Sequence, residues 1–286
     1  MLAITGINGM VGGAVCRGFE SAGLPVVPMS TRPAGSSVVK LIDGCPQWRP
    51  GKQLSGLIHC GGLVGNGYSY RQYMDANVRD LQSLLNWVED NEVQYFVYIS
   101  TGGVYGPSDG WVDEETPVNP QGDYCLSKAM AEEAVASRHG IKTMIVRLYF
   151  PIGSFSTPHF FANVYRNLKR GTAFLNDADG HPWISPVGLD DAASSLAAAA
   201  GLGLSGVFNL SANTSITMAQ VFSALSEGGE FPKVQSPSSP PAHTPGNYMG
   251  RADKLIKAAH LPSFEPVLNI LRQRAAEAAK KGALPS

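Results

Sequence analysis

The sequence predicts an α/β fold: a doubly wound parallel sheet of Rossmann type with a small C-terminal region. Two observations support this prediction. Strand-like and helix-like runs alternate through the first half of the chain, and the first strand leads directly into a glycine-rich bend. After Pro151 the alternation gives way to mixed Gly, Ser, Pro and aromatic residues. We expect a Rossmann domain over 1–155, its sheet completed by about 183–212, and a smaller substrate-binding region from 156–182 and 213–286.

Short apolar runs and helical spacing place the elements of the first domain. Val11, Val15 and Phe19 recur every fourth residue in the first crossover helix, and an apolar stripe that begins at Val78 marks a later one. The link at 30–37 is too short for a crossover helix. The predicted strands are residues 1–5, 24–29, 38–42, 56–59, 95–99 and 143–149, and a further helix covers about 123–138.

The second region contains a predicted helix at 160–170 and a strand at 207–210 that returns to the sheet. Thr217 and Gln220 form a capping box ahead of another helix. The segment 236–246 contains four prolines and is predicted to be a loop, either a surface connector or a mobile cover over a substrate.

Composition and charge narrow the class of protein. With 286 residues, 44% hydrophobic and 16% charged, the chain is long enough to bury a large core. Its 22 basic and 23 acidic residues leave a net charge of -1, which argues against nucleic acid or an anionic membrane surface as a partner. The four cysteines show no metal-ligand spacing, so we expect no metal site and a reducing, cytoplasmic location. No leader or membrane-spanning segment is predicted.

The glycine-rich bend after the first strand is the first candidate site. A tight turn favours residues without Cβ, and the backbone must approach a pyrophosphate that the N–H groups of the next helix hold. The bend therefore predicts dinucleotide binding, although a purely structural turn is the alternative. The candidate contacts are Gly6, Asn8, Gly9, Met10 and Gly12.

The end of the second strand bears on which dinucleotide binds. A carboxylate there suits the ribose 2′-OH of NAD, whereas an Arg suits the 2′-phosphate of NADP. The chain has no acid at this place, and Ser30, Thr31 and Arg32 are candidate phosphate ligands. NADP is therefore the favoured cofactor and NAD the alternative, and Arg32 is otherwise a solvated side chain. Asp43 is a candidate adenine contact or an ordinary turn residue.

Three further residues have the chemistry of a proton-transfer site. Tyr124 and Lys128 are one turn apart on a predicted helix, so both side chains project from one face. A phenol needs its pKa lowered from about 10 toward 7 to act as an acid and base, and a nearby ammonium is one source of that shift. Thr101, at the end of the fifth strand, can hydrogen-bond a substrate oxygen. The alternatives are a surface Lys beside a half-buried Tyr, and a local cap at Thr101.

With these elements in place, the chain resembles the extended short-chain dehydrogenase/reductase superfamily, in particular the NAD-dependent epimerase/dehydratase family. The resemblance covers most of the chain and depends on the order of its motifs. Besides the glycine bend, Thr101 and the Tyr124/Lys128 pair, the matching segments are His59-Cys60-Gly61-Gly62, Asn77-Val78, Glu115-Thr116-Pro117 with Pro120, Arg147-Leu148-Tyr149 and Leu189-Asp190-Asp191-Ala192.

The resemblance implies roles for these residues. Tyr124 exchanges a proton with the substrate, Lys128 lowers its pKa and holds the nicotinamide ribose, and Thr101 orients the substrate oxygen. Hydride passes between a substrate carbon and the nicotinamide. The residues expected at the cofactor also include Tyr124, Lys128, Cys60, Gly61, Gly62, Asn77, Phe150 and Ile152, and those expected at the substrate are Thr101, Gly102 and Arg251.

Departures from the family pattern limit the substrate. Dehydratases of the family follow the Thr with an Asp-Glu pair, but this chain has Gly102 and Gly103, so a 4,6-dehydratase is not expected. Phe150 and Ile184 stand where sugar-nucleotide epimerases commonly have an Asn and a diphosphate-binding Arg. The substitutes to consider are Arg251, Arg166 and His181, the last being otherwise an ordinary loop histidine.

The expected activity is therefore hydride transfer at a hydroxyl- or keto-bearing carbon of a sugar-nucleotide-like or other polar metabolite. NADP favours net reduction over epimerisation. The competing hypothesis is a catalytically silent, NADP-binding redox sensor or scaffold. The expected partner is a small molecule, and a homodimer is possible.

Overall fold

A computed structural model describes residues 1–33, 35–48, 54–65, 67–177, 180–227, 231 and 246–281. The strands in this part of the chain are β1 (Leu2–Thr5), β2 (Val26–Ser30), β3 (Val39–Ile42), β4 (Cys45–Pro46), β5 (Gly56–His59), β6 (Tyr95–Thr101), β7 (Trp111–Val112), β8 (Lys142–Leu148), β9 (Pro151–Ile152), β10 (Trp183–Ile184), β11 (Val187–Gly188), β12 (Gly206–Leu210), β13 (Ile216–Thr217) and β14 (Met249–Gly250). The helices are α1 (Met10–Ser21), α2 (Tyr70–Met74), α3 (Asp80–Asp90), α4 (Gly122–Ala136), α5 (Phe160–Lys169), α6 (Leu189–Gly201), α7 (Met218–Ser226), α8 (Asp253–Ala259) and α9 (Val267–Lys280).

The main sheet has eight strands in the order β12-β8-β6-β5-β1-β2-β3-β4. Neighbouring strands are parallel, except for the antiparallel hairpin of β3 and β4. The chain proceeds outward from β1 in one direction through β2 and in the other through β5. The order therefore reverses between β1 and β5, and the crevice at such a switch point is where doubly wound sheets bind ligands. The predicted fold class is confirmed.

The link between β2 and β3 contains no helix, as its length predicted. These strands pair only through Met29 with Val39 and Ser30 with Lys40. Because β3 begins level with the end of β2, the chain does not need to return across the whole sheet before it pairs again.

Helices cover both faces of the sheet. One face packs against α1, α6 and α8, and the other against α3 and α4. Helix α8 differs from the predicted division of the chain, because its buried Leu255 and Ala259 belong to the core of the main sheet. Strand β12 completes the sheet beside β8, as expected.

The smaller region has its own core around α5, α7 and α9. Short pairs, β10 with β13 and β7 with β14, connect its segments. The predicted capping box of Thr217 and Gln220 is formed at the start of α7. Most of the predicted loop at 236–246 lies outside the described residues. Among the helices of the described ranges, none combines the length and apolarity that crossing a membrane requires.

Candidate active site

The glycine bend lies in the crevice at the switch point. Gly6 has a φ of 70°, and a Cβ there would lie 2.7 Å from the carbonyl carbon of Cys60. At Gly12 a Cβ would lie 2.3 Å from the backbone oxygen of Gly6. Side chains at these two positions would collide with backbone, so glycine is required for the bend to form. Gly9 caps α1 without a side-chain hydrogen bond, which leaves the helix N-terminus suited to an anion.

Asn8 joins this bend to the end of β2. Its Nδ2 donates to Ser30 Oγ at 2.9 Å and to the Arg32 backbone oxygen at 2.7 Å. The same Ser30 oxygen accepts a hydrogen bond from the Arg32 backbone N–H at 3.0 Å. Ser30 is buried, so its main contribution is to hold the loop. Thr31 and Arg32 are exposed, and Arg32 forms no ion pair with any described residue.

Two other predicted cofactor residues lie farther along the crevice. Asp43 is exposed at the carboxyl end of β3, where its φ of 46° forms a tight turn with Gly44 against α3. Met10, the first residue of α1, packs against Gly153 in the loop after β9. Contact with an adenine or a pyrophosphate stays a prediction for both residues.

Asn77 holds the loop that follows β5. It lies buried in a π-helical turn at Asp75–Arg79, and its Oδ1 accepts the Leu63 N–H at 2.7 Å. Its Nδ2 donates to the Leu63 carbonyl at 3.1 Å and to Ser127 Oγ on α4 at 3.0 Å. At Gly62 a Cβ would lie 2.7 Å from Asn77 Oδ1. This side chain therefore fixes the predicted cofactor loop against the helix that carries Tyr124.

Tyr124 and Thr101 face one another above the end of β6. Burial raises the pKa of the Tyr124 phenol well above its usual value, and Cys125 acts in the same direction. The nearby Thr101 hydroxyl acts in the opposite direction and lowers that pKa. Burial therefore favours the protonated phenol, and the lowering of its pKa by Lys128 stays a prediction.

Lys128 is buried beneath Tyr124 on the same face of α4. Its Nζ donates to the Ile99 backbone oxygen at 2.7 Å and lies 4.2 Å from the centre of the Tyr98 ring. Burial lowers its pKa from 10.5 to about 8, while the charge of Glu132 acts in the opposite direction. Cys60 also interacts electrostatically with Lys128, which places the ammonium beside the loop that contacts the glycine bend.

A buried ion pair behind Lys128 was not predicted. Arg147 on β8 donates to both carboxylate oxygens of Glu132, at 3.1 and 2.7 Å to Oε2, and Ser100 donates to the same carboxylate. The Arg147 guanidinium also lies 4.6 Å from the centre of the Tyr105 ring. Strand alternation places Ser100 and Arg147 on the α4 face, but the spacing between Glu132 and Arg147 gives no signal in the sequence.

The two glycines after Thr101 leave no room for acidic side chains. A Cβ at Gly102 would lie 2.3 Å from ring atoms of Tyr149, and one at Gly103 would lie 2.8 Å from the Cys125 sulfur. Gly102, predicted to contact substrate, is buried under the Tyr149 ring, and its contact with a substrate stays a prediction. Without movement of Tyr149 the site cannot hold the acid pair of a dehydratase.

The contact of Phe150 and Ile152 with a cofactor stays a prediction. Ile152 is fully buried in the core of the smaller region. Phe150 is half-buried and has a φ of 36°, a conformation that is costly for an aromatic residue. Its ring packs against Phe160 and Tyr248. Ile184 is buried in β10, where it pairs with β13.

Three cationic side chains are the candidates for binding a diphosphate. Arg251 is half-exposed and stacks on the Trp111 ring, with 5.0 Å from guanidinium carbon to ring centre. Arg166 donates to Asn163 on its own helix. His181 contacts the Asp177 carboxylate through Nδ1 at 2.9 Å. None of the recorded contacts of these three residues joins them to Tyr124, so a diphosphate site stays a prediction. No cluster of metal-ligating side chains occurs among the residues that the structure describes.

The fold and this site define a dinucleotide-binding protein of the Rossmann class with a Thr, Tyr and Lys set at the crevice. A family model described as NAD dependent epimerase/dehydratase family matches residues 2–210. The chain belongs to this family, and the resemblance stated from its motifs is confirmed.

Individual relatives match over shorter stretches. An uncharacterized UDP-glucose epimerase, YtcB of Bacillus subtilis (strain 168), is 30% identical over 95 residues, which are 32% of this chain and 30% of the relative. A UDP-glucose 4-epimerase of Lactobacillus helveticus is 36% identical over 90 residues, covering 30% of this chain and 27% of the relative. The chain thus matches about a third or less of the length of these relatives.

Solved structures share the fold over nearly the whole chain. MoeE5 in complex with UDP-glucuronic acid and NAD has a TM-score of 0.82 at 18% identity, covering 99% of both chains. The UDP-glucose 4-epimerase of Thermus thermophilus, in complex with NAD, has a TM-score of 0.80 at 20% identity, covering 96% of this chain and 97% of that chain. At this identity the likeness describes the fold alone.

Proposed function

We propose that this protein is a nicotinamide-dinucleotide-dependent oxidoreductase or epimerase that acts on a hydroxyl- or keto-bearing carbon of a sugar-nucleotide-like metabolite. The observation that carries the proposal is the convergence of three elements at one crevice. Thr101 and Tyr124 face each other at the end of β6, Lys128 lies beneath them, and the Cys60 backbone beside Lys128 contacts Gly6 of the glycine bend.

Each residue has a definite task in this reaction. The bound dinucleotide supplies or accepts the hydride. Thr101 donates to the substrate oxygen and keeps it within reach of Tyr124. Tyr124 gives its proton to that oxygen in reduction and receives one in oxidation. Lys128 contributes a buried positive charge on the same side of the phenol, which favours the phenolate when that form is required.

The geometry of the glycine bend and of the start of α1 is suited to a dinucleotide. The backbone crowding around Gly6 and Gly12 leaves a bend that a pyrophosphate can approach, and α1 begins there without an acidic residue in its first turn. At the end of β2, Arg32 and Thr31 are exposed and available to a 2′-phosphate, and the described residues of this loop include no carboxylate to oppose the Arg32 charge. These features support NADP over NAD, whereas the named structural neighbours were solved with NAD.

The names of relatives and neighbours support the sugar-nucleotide class of substrate. Gly102 and Gly103 exclude the acid pair that water elimination needs, so hydride transfer alone, as reduction or epimerisation, is the proposed chemistry. The two outcomes differ in the cofactor: reduction consumes it, whereas epimerisation regenerates it.

Substitution of the phenol tests the enzymatic role. In Tyr124→Phe we expect cofactor affinity within about twofold of wild type and turnover lower by about 10²–10⁴, because the proton donor is lost. Tyr95→Phe is the matched control, since this buried tyrosine lies at the far end of β6 and donates to the Leu204 carbonyl. Unchanged turnover in Tyr124→Phe refutes the role. Tight cofactor binding without consumption of any ketone or nucleotide sugar favours the sensor hypothesis.

The cofactor preference has its own test. Arg32→Asp should reverse the ratio of NADP to NAD affinity, because a carboxylate repels a 2′-phosphate and accepts the ribose 2′-OH. Arg71→Asp makes the same charge change on a side chain that is 87% exposed on α2. An affinity ratio that does not move in Arg32→Asp contradicts the phosphate assignment.

A further inference from the structure

Tyr98 lies directly beside the ammonium group of Lys128. The distance from Nζ to the ring centre is 4.2 Å, and the two residues are 1% and 5% exposed. A cation over a ring face at this distance is attracted by the ring quadrupole, and the attraction is larger when water is excluded. Tyr98 is therefore placed to stabilise the charged form of Lys128.

The nearby carboxylate does not provide Lys128 with a counter-ion of its own. Glu132 lies one helical turn beyond Lys128, but its oxygens already accept hydrogen bonds from Arg147 and Ser100. Two buried cations thus share one anion, and Arg147 has the direct contact. The recorded direct contacts of the Lys128 ammonium are the Ile99 carbonyl and the Tyr98 ring.

The Tyr98 ring is held from the side of the glycine bend. His59 stacks on it with a centroid distance of 5.9 Å and an interplanar angle of 12°. His59 Nδ1 in turn lies 2.8 Å from Thr5 Oγ1, at the end of β1. Burial lowers the pKa of His59 to about 3, so the imidazole stays neutral beside the cation. A continuous stack therefore connects the first strand of the sheet to Lys128.

The Tyr98 hydroxyl has no part in this arrangement. It is buried and has no hydrogen-bond partner among the described residues. The ring face, and not the phenol oxygen, is what meets Lys128. This separates the two parts of the side chain experimentally, because Phe retains the ring and Leu does not.

We propose that Tyr98 is a positioning residue whose ring face keeps Lys128 charged and fixed beneath Tyr124. The consequence for turnover rests on the proposed function, whereas the effect on Lys128 does not. The other titratable groups that interact with Lys128 are Glu132 on its own helix, and His59 and Cys60 at the end of β5. Substitutions at residue 98 do not alter the chemistry of these side chains.

The test is a direct titration of the Lys128 side chain. The lysine side-chain ¹³Cε–¹⁵Nζ resonances are followed by NMR against pH in the full chain without cofactor, and Lys128→Met identifies the signal. Wild type and Tyr98→Phe should titrate within about 0.3 pH units of each other. In Tyr98→Leu the Lys128 pKa should fall by about one pH unit, because a desolvated ammonium loses the ring.

A shape-conserving series guards against loss of folding in Tyr98→Leu. Phenylalanine carrying one, two or five ring fluorines at position 98 weakens the quadrupole stepwise at nearly constant size, so the Lys128 pKa should fall in the same order. A pKa that is independent of fluorination, or that moves as far in Tyr98→Phe as in Tyr98→Leu, overturns the proposal.

Turnover provides a second test that is independent of the Lys128 titration. If the protein is the proposed enzyme, Tyr98→Leu should shift the pH profile of kcat while Tyr98→Phe restores it. If no substrate is consumed but the Lys128 titration moves as stated, the positioning role stands and the proposed enzymatic function fails.

Discussion

Removing the Glu132 charge should destabilise the protein more than any comparable change at its surface. Both side chains of the Glu132–Arg147 pair are 8% exposed, and Arg147 Nη1 has no partner among the described residues even with the pair intact. In Glu132→Gln the guanidinium stays buried without a counter-charge. We expect a loss of about 3–5 kcal/mol in the free energy of unfolding, because the buried guanidinium is then neither paired with an anion nor solvated by water.

Urea denaturation measures this loss as a lower midpoint at an unchanged slope. The surface pair Arg138–Glu89 is the control, since its side chains are 22% and 39% exposed. Glu89→Gln should cost less than about 1 kcal/mol. The double variant Glu132→Met with Arg147→Met should be more stable than Glu132→Gln, because it also removes the buried guanidinium that Glu132→Gln leaves without a counter-charge. The expected role of the buried pair is refuted if Glu132→Gln lowers the free energy of unfolding by less than about 1 kcal/mol, or if the double variant is less stable than Glu132→Gln.

Three other outcomes follow from the same structure. Gly102→Ala should lower the free energy of unfolding by about 1–3 kcal/mol in urea denaturation, because its methyl group meets the Tyr149 ring; an unchanged midpoint contradicts this packing. Asn77→Ala should lower the free energy of unfolding by about 2–4 kcal/mol and weaken dinucleotide binding in a fluorescence titration, since it removes both hydrogen bonds to Leu63; unchanged affinity contradicts the role of Asn77 in holding the loop after β5. Burial lowers the pKa of His159 to about 4. Between about pH 6.5 and pH 4 the unfolded chain therefore binds a proton that the folded protein does not bind, and the free energy of unfolding falls as the pH is lowered through this range. His159→Leu should reduce that pH slope by about 1.4 kcal/mol per pH unit, and an equal slope in both proteins contradicts it.

The sequence predicted the parts of the fold that depend on local pattern. Apolar runs located the seven longer strands of the main sheet to within about two residues, and the glycine bend falls between β1 and α1 as expected. Such features follow from side-chain periodicity and from the demand of a tight turn for glycine. The two-residue strands, such as β9 and β11, were missed because two residues have no period.

Contacts between distant segments could not be read in the same way. Tyr149 covers Gly102, and Asn77 bonds to Leu63 and Ser127, only because the sheet brings separate strands and helices to one edge. Helix α8 was assigned to the smaller region because it follows that region in the chain, yet its apolar face fits the main core. The contact of Tyr98 with His59 likewise depends on the register of β5 and β6, which pairs these two residues.

Burial acts in opposite directions on the pKa values of Tyr124 and Lys128. Burial disfavours the charged form of a titratable group, so it raises the pKa of Tyr124 and lowers that of Lys128. The positive charge of Lys128 is thus retained near neutrality by its ring, its carbonyl and the shared Glu132, while the phenol stays protonated. If the proposed dinucleotide binds there, an oxidised nicotinamide ring would add a second positive charge in the same crevice and would favour the phenolate together with Lys128. The acid and base states of Tyr124 would therefore be selected by the charge of the bound cofactor, which couples proton transfer to the direction of hydride transfer.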